Sequence, residues 1–129
     1  NDGEAELGGP LRAALLYAEH RNDTDGDAAY ALAHEARRRL AAGVDAALEN
    51  VDVLASTTVP MLPPKWGEDI DDVFGSLANT GPFNVTGHPA VSVPCGTVAG
   101  LPVGLQFVAA RGDDDVALQA AASWMELHD

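Results

Sequence analysis

Apolar residues in the first third of the chain recur at the spacing of α-helices. One helix is predicted to begin at Pro10, since proline suits the first helical turn. A second apolar stripe extends over residues 30–48 and predicts a second helix that begins near Asp27. Residues 21–26 between the two stripes are polar and end in a glycine, so we predict a loop there.

Short strand-like and helix-like runs follow these helices. Residues 51–56 are β-prone and predict a buried strand, and the prolines after them predict an extended connector. Residues 70–77 place apolar side chains at i, i+3, i+4 and i+7, the pattern of a short amphipathic helix. Residues 79–89 are rich in glycine, proline, asparagine and threonine and predict a loop.

The last part of the chain predicts a hairpin and a helix. Residues 90–94 and 101–108 form two apolar runs, and the short connection 95–100 favours an antiparallel pairing. A final helix is predicted from about residue 116 to His128, after three aspartates that suit the positive end of a helix dipole. The order of helices, one strand, a helix, a hairpin and a helix predicts an α/β or α+β fold.

The charge of the chain excludes several classes of partner. The 129 residues carry a formal net charge of −13, so nucleic-acid phosphates would be repelled and no nucleic-acid partner is expected. No apolar run reaches the roughly eighteen residues of a membrane-spanning helix, so no membrane partner is expected. The polar first residues lack the basic start of a secretory signal.

The choice of charged residues indicates a salt-adapted cytoplasmic protein. Lys65 is the single lysine beside six arginines, and aspartate outnumbers glutamate. High salt would screen the self-repulsion of such an acidic surface. The alternative is an ordinary acidic protein from a high-GC genome.

The residues that bind metals give no site by their spacing. The four histidines are not placed at i, i+3 or i+4, and the single cysteine excludes an internal disulfide or an all-cysteine metal cage. Aspartates at 23, 25 and 27 alternate as in a calcium loop, but Ala28 and His34 stand where that loop needs glycine and glutamate. We therefore expect no metal, and a polar loop is the better interpretation of residues 23–27.

Candidate nucleophiles are equally few. Cys95 follows a predicted strand, and a nucleophilic role would require a base such as His88 nearby. A small buried residue at a strand end is the favoured interpretation. The serines fall in predicted strands or helices rather than in a loop with free backbone donors, and Lys65 lies in the predicted connector. The residue pattern alone thus describes an acidic α/β domain.

Two ordered motifs resemble the amidase signature family. Residues 80–96 read TGPFNVTGHPAVSVPCG, similar to the family pattern T-x-x-x-N-x-x-G-x-P-A-x-S-x-P-x-G, and residues 100–106 read GLPVGLQ, similar to G-L-P-x-G-L-Q. The helix before residue 51, the strand that follows it and the last helix match the same region. The resemblance covers nearly all of the chain, most firmly residues 30–128.

This resemblance implies a fold and an activity. Residues 1–129 are expected to be the C-terminal portion of an amidase-signature domain, whose fold is a mixed β-sheet flanked by helices. The family hydrolyses amides with a Ser–cis-Ser–Lys triad and uses no metal or other cofactor. Neither the triad lysine nor the glycine- and serine-rich loop has a counterpart here. No catalytic residue is therefore expected in this chain, which begins at Asn1 and is interpreted as a fragment, inactive alone, that completes the sheet and walls the substrate pocket.

The resemblance also implies which residues face the substrate. By analogy with the loop that precedes the family's hairpin, Leu77, Thr80, Phe83 and Asn84 are expected to line the pocket. Alternatively, these residues only shape the loop. The glutamine-handling members usually carry an acidic residue shortly before this loop, whereas residues 75–79 contain none. An apolar or aryl amide is therefore the expected substrate, and the family's P-T-x-P after the strand is replaced by Thr57-Thr58-Val59-Pro60.

A second hypothesis needs no catalysis. A hairpin without neighbouring strands leaves unpaired N–H and C=O groups, which favour pairing with another chain. The protein would then be a stand-alone acidic assembly module that forms homo-oligomers. In the first hypothesis its partners are a small-molecule amide and the remainder of the amidase chain.

Overall fold

The computed structural model describes residues 9–65, 67 and 73–128. The chain divides into two compact units, residues 1–37 and residues 38–129, which are taken in turn. A helix assignment, α1, covers Gly9–Leu48 and so begins in the first unit and ends in the second.

The predicted loop at residues 21–26 is wrong in all but its last residue. Only Gly26 leaves the helical conformation, with φ 56° and ψ −149°, so two helical segments meet at a kink there. The Thr24 hydroxyl donates a hydrogen bond to the carbonyl of His20, four residues earlier, at 2.7 Å, a contact that is typical of bent helices. Glycine reaches the positive φ because it has no Cβ.

Three antiparallel strands form the sheet of the second unit. They are β1 (Leu54–Thr57), β2 (Ala90–Val98) and β3 (Leu101–Val108), in the order β1-β3-β2. The predicted antiparallel hairpin is confirmed, as is a strand after α1, and with the helices they give the predicted α/β class. The predicted burial of that strand is wrong, because β1 is an outer strand and three of its four residues are exposed. The first strand begins three residues later than predicted, and β2 continues four residues further, through part of the predicted connection.

A bulge explains the extra length of β2. Pro94 pairs with Gly104 and Thr97 with Pro102, so residues 95 and 96 stand opposite one residue of β3. Gly96 accommodates the bulge with φ 121°. The two strands then join through Ala99 and Gly100, whose φ angles of 52° and 78° fit the mirror-image turn that two-residue hairpins favour.

One face of the sheet and the last helix, α4 (Asp114–His128), enclose the core. Val93 and Phe107 pack with Ala121 of α4, and Trp124 closes the cluster with its ring centroid 6.3 Å from that of Phe107. The predicted final helix is confirmed, two residues longer at its start, with Asp114 and Asp115 in its first turn as the dipole favours.

Two short helices occupy the segment between β1 and β2. They are α2 (Val73–Ser76) and α3 (Gly81–Thr86). The first confirms part of the predicted 70–77 helix, of which residues 70–72 lie outside the described residues. The second was predicted as loop, but Pro82 suits its first turn and Gly87 ends it with φ 77°, its N–H bonded to the Phe83 carbonyl.

None of the helices in the described part of the chain is long and apolar enough to cross a membrane.

Candidate functional site

A tight turn carries the first two of the predicted pocket residues. The carbonyl of Leu77 accepts hydrogen bonds from the backbone N–H of Thr80 at 3.1 Å and of Gly81 at 2.7 Å. The Thr80 hydroxyl lies 3.5 Å from the same carbonyl and does not cap α3. The turn 77–81 is therefore closed on itself by bonds to one acceptor.

The four predicted pocket residues lie along one continuous segment. Leu77 is exposed by 48%, Asn84 is also exposed, and Thr80 and Phe83 are half-buried. The Asn84 N–H donates to the Thr80 carbonyl at 3.2 Å, which joins the turn 77–81 to α3. Backbone hydrogen bonds thus connect this segment, and the contact of its four side chains with a substrate stays a prediction.

Asn79 and Gln106 attach this segment to the sheet. The Asn79 side-chain amide donates to the Thr57 carbonyl at 2.8 Å and to the Thr57 hydroxyl at 3.1 Å. The Gln106 amide donates to the Asn79 carbonyl at 2.8 Å. Sequence reasoning gave neither residue a role, although Gln106 is a polar residue in an otherwise apolar strand, and a buried amide there requires a partner.

The face of the sheet opposite α4 is polar at its centre. Ser56 and Ser92 both stand opposite Gln106, one on each neighbouring strand. On the same face, the hydroxyls of Thr58 and Ser92 form a hydrogen bond of 2.5 Å that passes over Gly104. Hydroxyl and amide groups, rather than charges, therefore occupy this face.

A buried histidine joins three parts of the second unit. The His88 side chain is fully buried, with Nε2 3.1 Å from Asp45 Oδ1 and Nδ1 2.8 Å from Thr86 Oγ1. Arg111 Nη2 lies 2.6 Å from the other oxygen of Asp45. These bonds connect the last turns of α1, the end of α3 and the segment before α4.

The hydrogen bonds of His88 determine what it does chemically. With Nε2–H donating to Asp45, Nδ1 accepts from the Thr86 hydroxyl. Both ring nitrogens are then engaged, so His88 has no free nitrogen with which to activate Cys95. Cys95 itself is half-buried in the bulge of β2, so the expected buried position at a strand end is wrong: the strand continues past it to Val98.

An uncharged groove lies beside β1. It has a volume of about 180 Å³ and is lined by Thr57, Val59, Pro60, Met61, Leu62 and Val103. Thr57 is also the residue to which Asn79 is bonded, so this groove shares a wall with the anchor of the turn 77–81. Its lining suits an apolar group rather than an ionic one.

Cation ligands do not converge in the described part of the chain. Within those residues, no group of three or more histidine, cysteine, aspartate or glutamate side chains is close enough to hold a metal ion. The aspartates at 23 and 25 belong to a helical stretch of α1. That backbone differs from the loop that a calcium site of this spacing requires.

Comparison with known proteins gives one consistent result. The family model described as Amidase matches residues 4–118. A glutamyl-tRNA(Gln) amidotransferase subunit of Halobacterium salinarum is 43% identical over 100 residues, which are 75% of this chain and 24% of that protein. The corresponding subunit of Haloarcula marismortui is 48% identical over 86 residues, 64% of this chain and 20% of that protein.

Solved structures give the same result. A crystal structure of an amidase has a TM-score of 0.76 at 28% identity and covers 95% of this chain and 29% of that one. A glutamyl-tRNA(Gln) amidotransferase subunit from Thermotoga maritima has a TM-score of 0.66 at 27% identity and covers 88% of this chain and 26% of that one. The chain therefore spans about a quarter of the length of these relatives, and the predicted amidase-signature fold is confirmed.

Proposed function

Since this chain belongs to the Amidase family, we propose that it is the C-terminal portion of an amide-hydrolysing enzyme. The enzyme would use a Ser–cis-Ser–Lys mechanism, with the triad in the part of the protein that this chain does not cover. The observation that carries the proposal is the family match over residues 4–118 in a chain that spans about a quarter of the length of the amidotransferase subunits it matches. This portion would supply sheet core and one wall of the substrate pocket.

The positions of the serines support a catalytic centre elsewhere. Ser56 and Ser92 lie in strands, and Ser76 and Ser123 lie in helices, as predicted. A nucleophilic serine in this chemistry needs backbone N–H donors aimed at the developing oxyanion. None of these four serines lies in a glycine- and serine-rich loop of the kind that presents such donors.

The pocket wall supports an apolar amide as substrate. Residues 75–79 contain no carboxylate that could hold the α-amino group of glutamine. The turn 77–81 exposes Leu77 and Ala78, both apolar, and the groove beside Thr57 is lined without any charged side chain. An aryl or alkyl amide matches this surface better than a zwitterionic amino acid, because burying an unpaired charge is costly.

The names of the relatives favour a second candidate. The proteins of Halobacterium salinarum and Haloarcula marismortui both belong to an amidotransferase named for glutamyl-tRNA(Gln). The parent protein would then be one subunit of such an amidotransferase, and the other subunits would be its partners. The two candidates differ in the substrate that the pocket wall around Leu77 would bind, which is an aryl or alkyl amide in the first and glutamine in the second.

The test uses the full-length protein that contains this sequence. Its kcat/KM is measured for glutamine and for a series of aryl and alkyl amides in high salt. We expect aryl or alkyl amides to be hydrolysed faster than glutamine. Faster glutaminase turnover would support the second candidate, and no hydrolysis of any amide would refute the proposed function.

The isolated 129-residue chain is predicted to be catalytically inactive. It should hydrolyse none of these amides and should not react with a serine-directed fluorophosphonate, because the triad is not among its residues. The full-length enzyme is the positive control and should label on one serine outside this sequence. Labelling of any serine within residues 1–129 would place the nucleophile in this chain and contradict the prediction.

The assembly-module hypothesis stays the alternative outcome. Within the described residues, β1 and β2 are the outer strands of an open sheet, which supports pairing with another chain. A full-length protein in which residues 1–129 stand alone and form stable homo-oligomers without hydrolysing amides would favour it. The acidic composition supports a cytoplasmic location under either hypothesis.

A further inference from the structure

We propose that Asn79 and Gln106 are positioning residues that hold the turn 77–81 against the sheet and thereby set the position of Leu77 and Thr80 toward substrate. This inference rests on the proposed amide-hydrolysing function. It assigns specificity to two residues that need not touch substrate. The contacts that support it form a chain from the central strand to the turn.

The first link joins Asn79 to the free edge of the sheet. The Thr58 N–H bonds to the Gly104 carbonyl on β3 at 2.8 Å. The backbone groups of successive residues in an antiparallel strand point alternately toward and away from the neighbouring strand. The carbonyl of Thr57 therefore points away from β3. The Asn79 amide bonds to that carbonyl at 2.8 Å and to the hydroxyl of the same residue at 3.1 Å. Asn79 therefore bonds to an edge carbonyl that points away from the neighbouring strand, and the Ser56 hydroxyl also donates to this carbonyl at 3.3 Å.

The second link comes from the centre of the sheet. Gln106 is 3% exposed and lies on β3, between the two outer strands. Its amide nitrogen donates to the Asn79 carbonyl at 2.8 Å and lies 3.4 Å from the Ser56 hydroxyl. A buried, hydrogen-bonded amide on the central strand of a sheet has little rotational freedom. The Asn79 carbonyl is therefore bonded to a rigid donor.

The third link transmits these restraints to the pocket wall. The turn is closed by two backbone bonds to the Leu77 carbonyl, from Thr80 and Gly81. Asn79 is therefore held at both its side chain and its carbonyl, within a turn whose ends are bonded together. Loss of either anchor would let Leu77 and Thr80 move as one piece, while the core against α4 stays packed.

The experiment measures KM and kcat separately in the full-length enzyme with its best aryl or alkyl amide. Asn79→Ala and Asn79→Asp each remove the donor to Thr57, and the second keeps the size of the side chain. Gln106→Ala removes the donor to Asn79. Each variant is expected to raise KM by roughly three- to tenfold and to change kcat by less than about twofold, because the loss is in binding and not in the catalytic groups.

The matched control is Trp124→Phe. It deletes one side-chain hydrogen bond to a backbone carbonyl, from Trp124 Nε1 to the Pro94 carbonyl at 3.0 Å, beside α4. This variant should lower the melting temperature and leave KM unchanged. Asn79→Ala combined with Gln106→Ala should raise KM by less than the product of the single effects, because both anchors hold the same turn.

The outcomes separate this inference from the function on which it rests. Unchanged KM in all Asn79 and Gln106 variants of an active enzyme would overturn the inference and leave the function intact. Failure of the unmodified protein to hydrolyse any amide would refute the function and the inference with it. Should Gln106→Ala not fold, Asn79→Asp decides alone, since Asn79 is only half-buried.

Discussion

Gly104 is a residue whose identity follows from its neighbours on either side. A Cβ built at this position would lie 2.7 Å from Thr58 Oγ1 and 2.8 Å from Ser92 Oγ. These hydroxyls belong to the segments that flank β3 on its two sides, and they bond to each other over the glycine. The glycine therefore permits a hydrogen bond that links the two outer segments of the sheet across the central strand.

Gly104→Ala is predicted to destabilise the protein by about 1–3 kcal/mol, because the added methyl group must separate the two hydroxyls or displace a strand. The free energy of unfolding is measured by chemical denaturation. The matched control is Gly43→Ala in α1, where an added Cβ meets nothing within 4 Å. That control should stabilise the protein by roughly 0.5–1 kcal/mol, since alanine favours helices. Equal effects of the two substitutions would contradict the prediction.

Ala99 carries a backbone conformation that its side chain disfavours. Its φ of 52° is the only positive value at a non-glycine residue among those the structure describes. Ala99→Asn is predicted to stabilise the hairpin by about 0.5–1 kcal/mol, because asparagine followed by Gly100 suits a turn in which both residues have positive φ. A lower unfolding free energy for Ala99→Asn than for the parent chain would show that this turn is not strained.

At the scale of elements, hydrogen bonds from a few polar side chains connect pieces that share little apolar contact. Asp45 near the end of α1 accepts hydrogen bonds from Arg111 and His88. His88 is also hydrogen-bonded to Thr86 at the end of α3. The contribution of each partner to the stability of the protein depends on how deeply its side chain is buried. His88 has no exposed side-chain surface, whereas Arg111 is 49% exposed.

His88→Ala is predicted to cost about 2 kcal/mol, because it removes both hydrogen bonds of a buried side chain and opens a cavity. Arg111→Ala should cost less than about 1 kcal/mol, as expected of a bond that solvent screens. Thermal and urea unfolding of both variants gives the comparison. A larger loss from Arg111→Ala than from His88→Ala would mean that the ion pair, rather than the buried imidazole, holds these elements.

At the scale of the whole molecule, charge and exposed apolar surface are the dominant properties. The described part of the first unit is helical and exposes large side chains, Leu15, Leu16, Tyr17, Tyr30 and Leu32, by 53–72%. A helix that exposes apolar side chains of this size is typical of one that packs against further protein. This supports the proposal that the chain is part of a longer amidase.

The stability of the protein is predicted to rise with salt. The formal net charge of −13 causes self-repulsion, and 1 M KCl shortens the screening length to about 3 Å from the roughly 10 Å of 0.1 M salt. The melting temperature should therefore increase over this range. A variant with several exposed aspartates replaced by asparagine should show a smaller increase. A melting temperature that is the same at both salt concentrations would contradict the salt-adapted interpretation.

Local sequence determined the elements whose signals are short-ranged. The hairpin and the last helix are confirmed because two apolar runs with a short connection, and consecutive aspartates before α4, are signals that act over a few residues. The position of the turn at Ala99 and Gly100 came only from the structure. The motifs at residues 80–96 and 100–106 were enough to identify the family, because both are long and occur in the family's order. The glycine at position 26 also indicated a break in the helix, although the predicted loop was longer than the kink that the structure has there.

Tertiary structure alone decided which polar side chains act together. Asn79 and Gln106 are 27 residues apart, and His88 and Asp45 are 43 apart, so no local pattern pairs them. The helix α3 was missed because it has only six residues, and the glycine, proline, asparagine and threonine of residues 79–89 are equally typical of a loop. The sequence by itself determined the strands, the last helix and the family, whereas the anchoring of the pocket wall depends on contacts that only folding brings within hydrogen-bond distance.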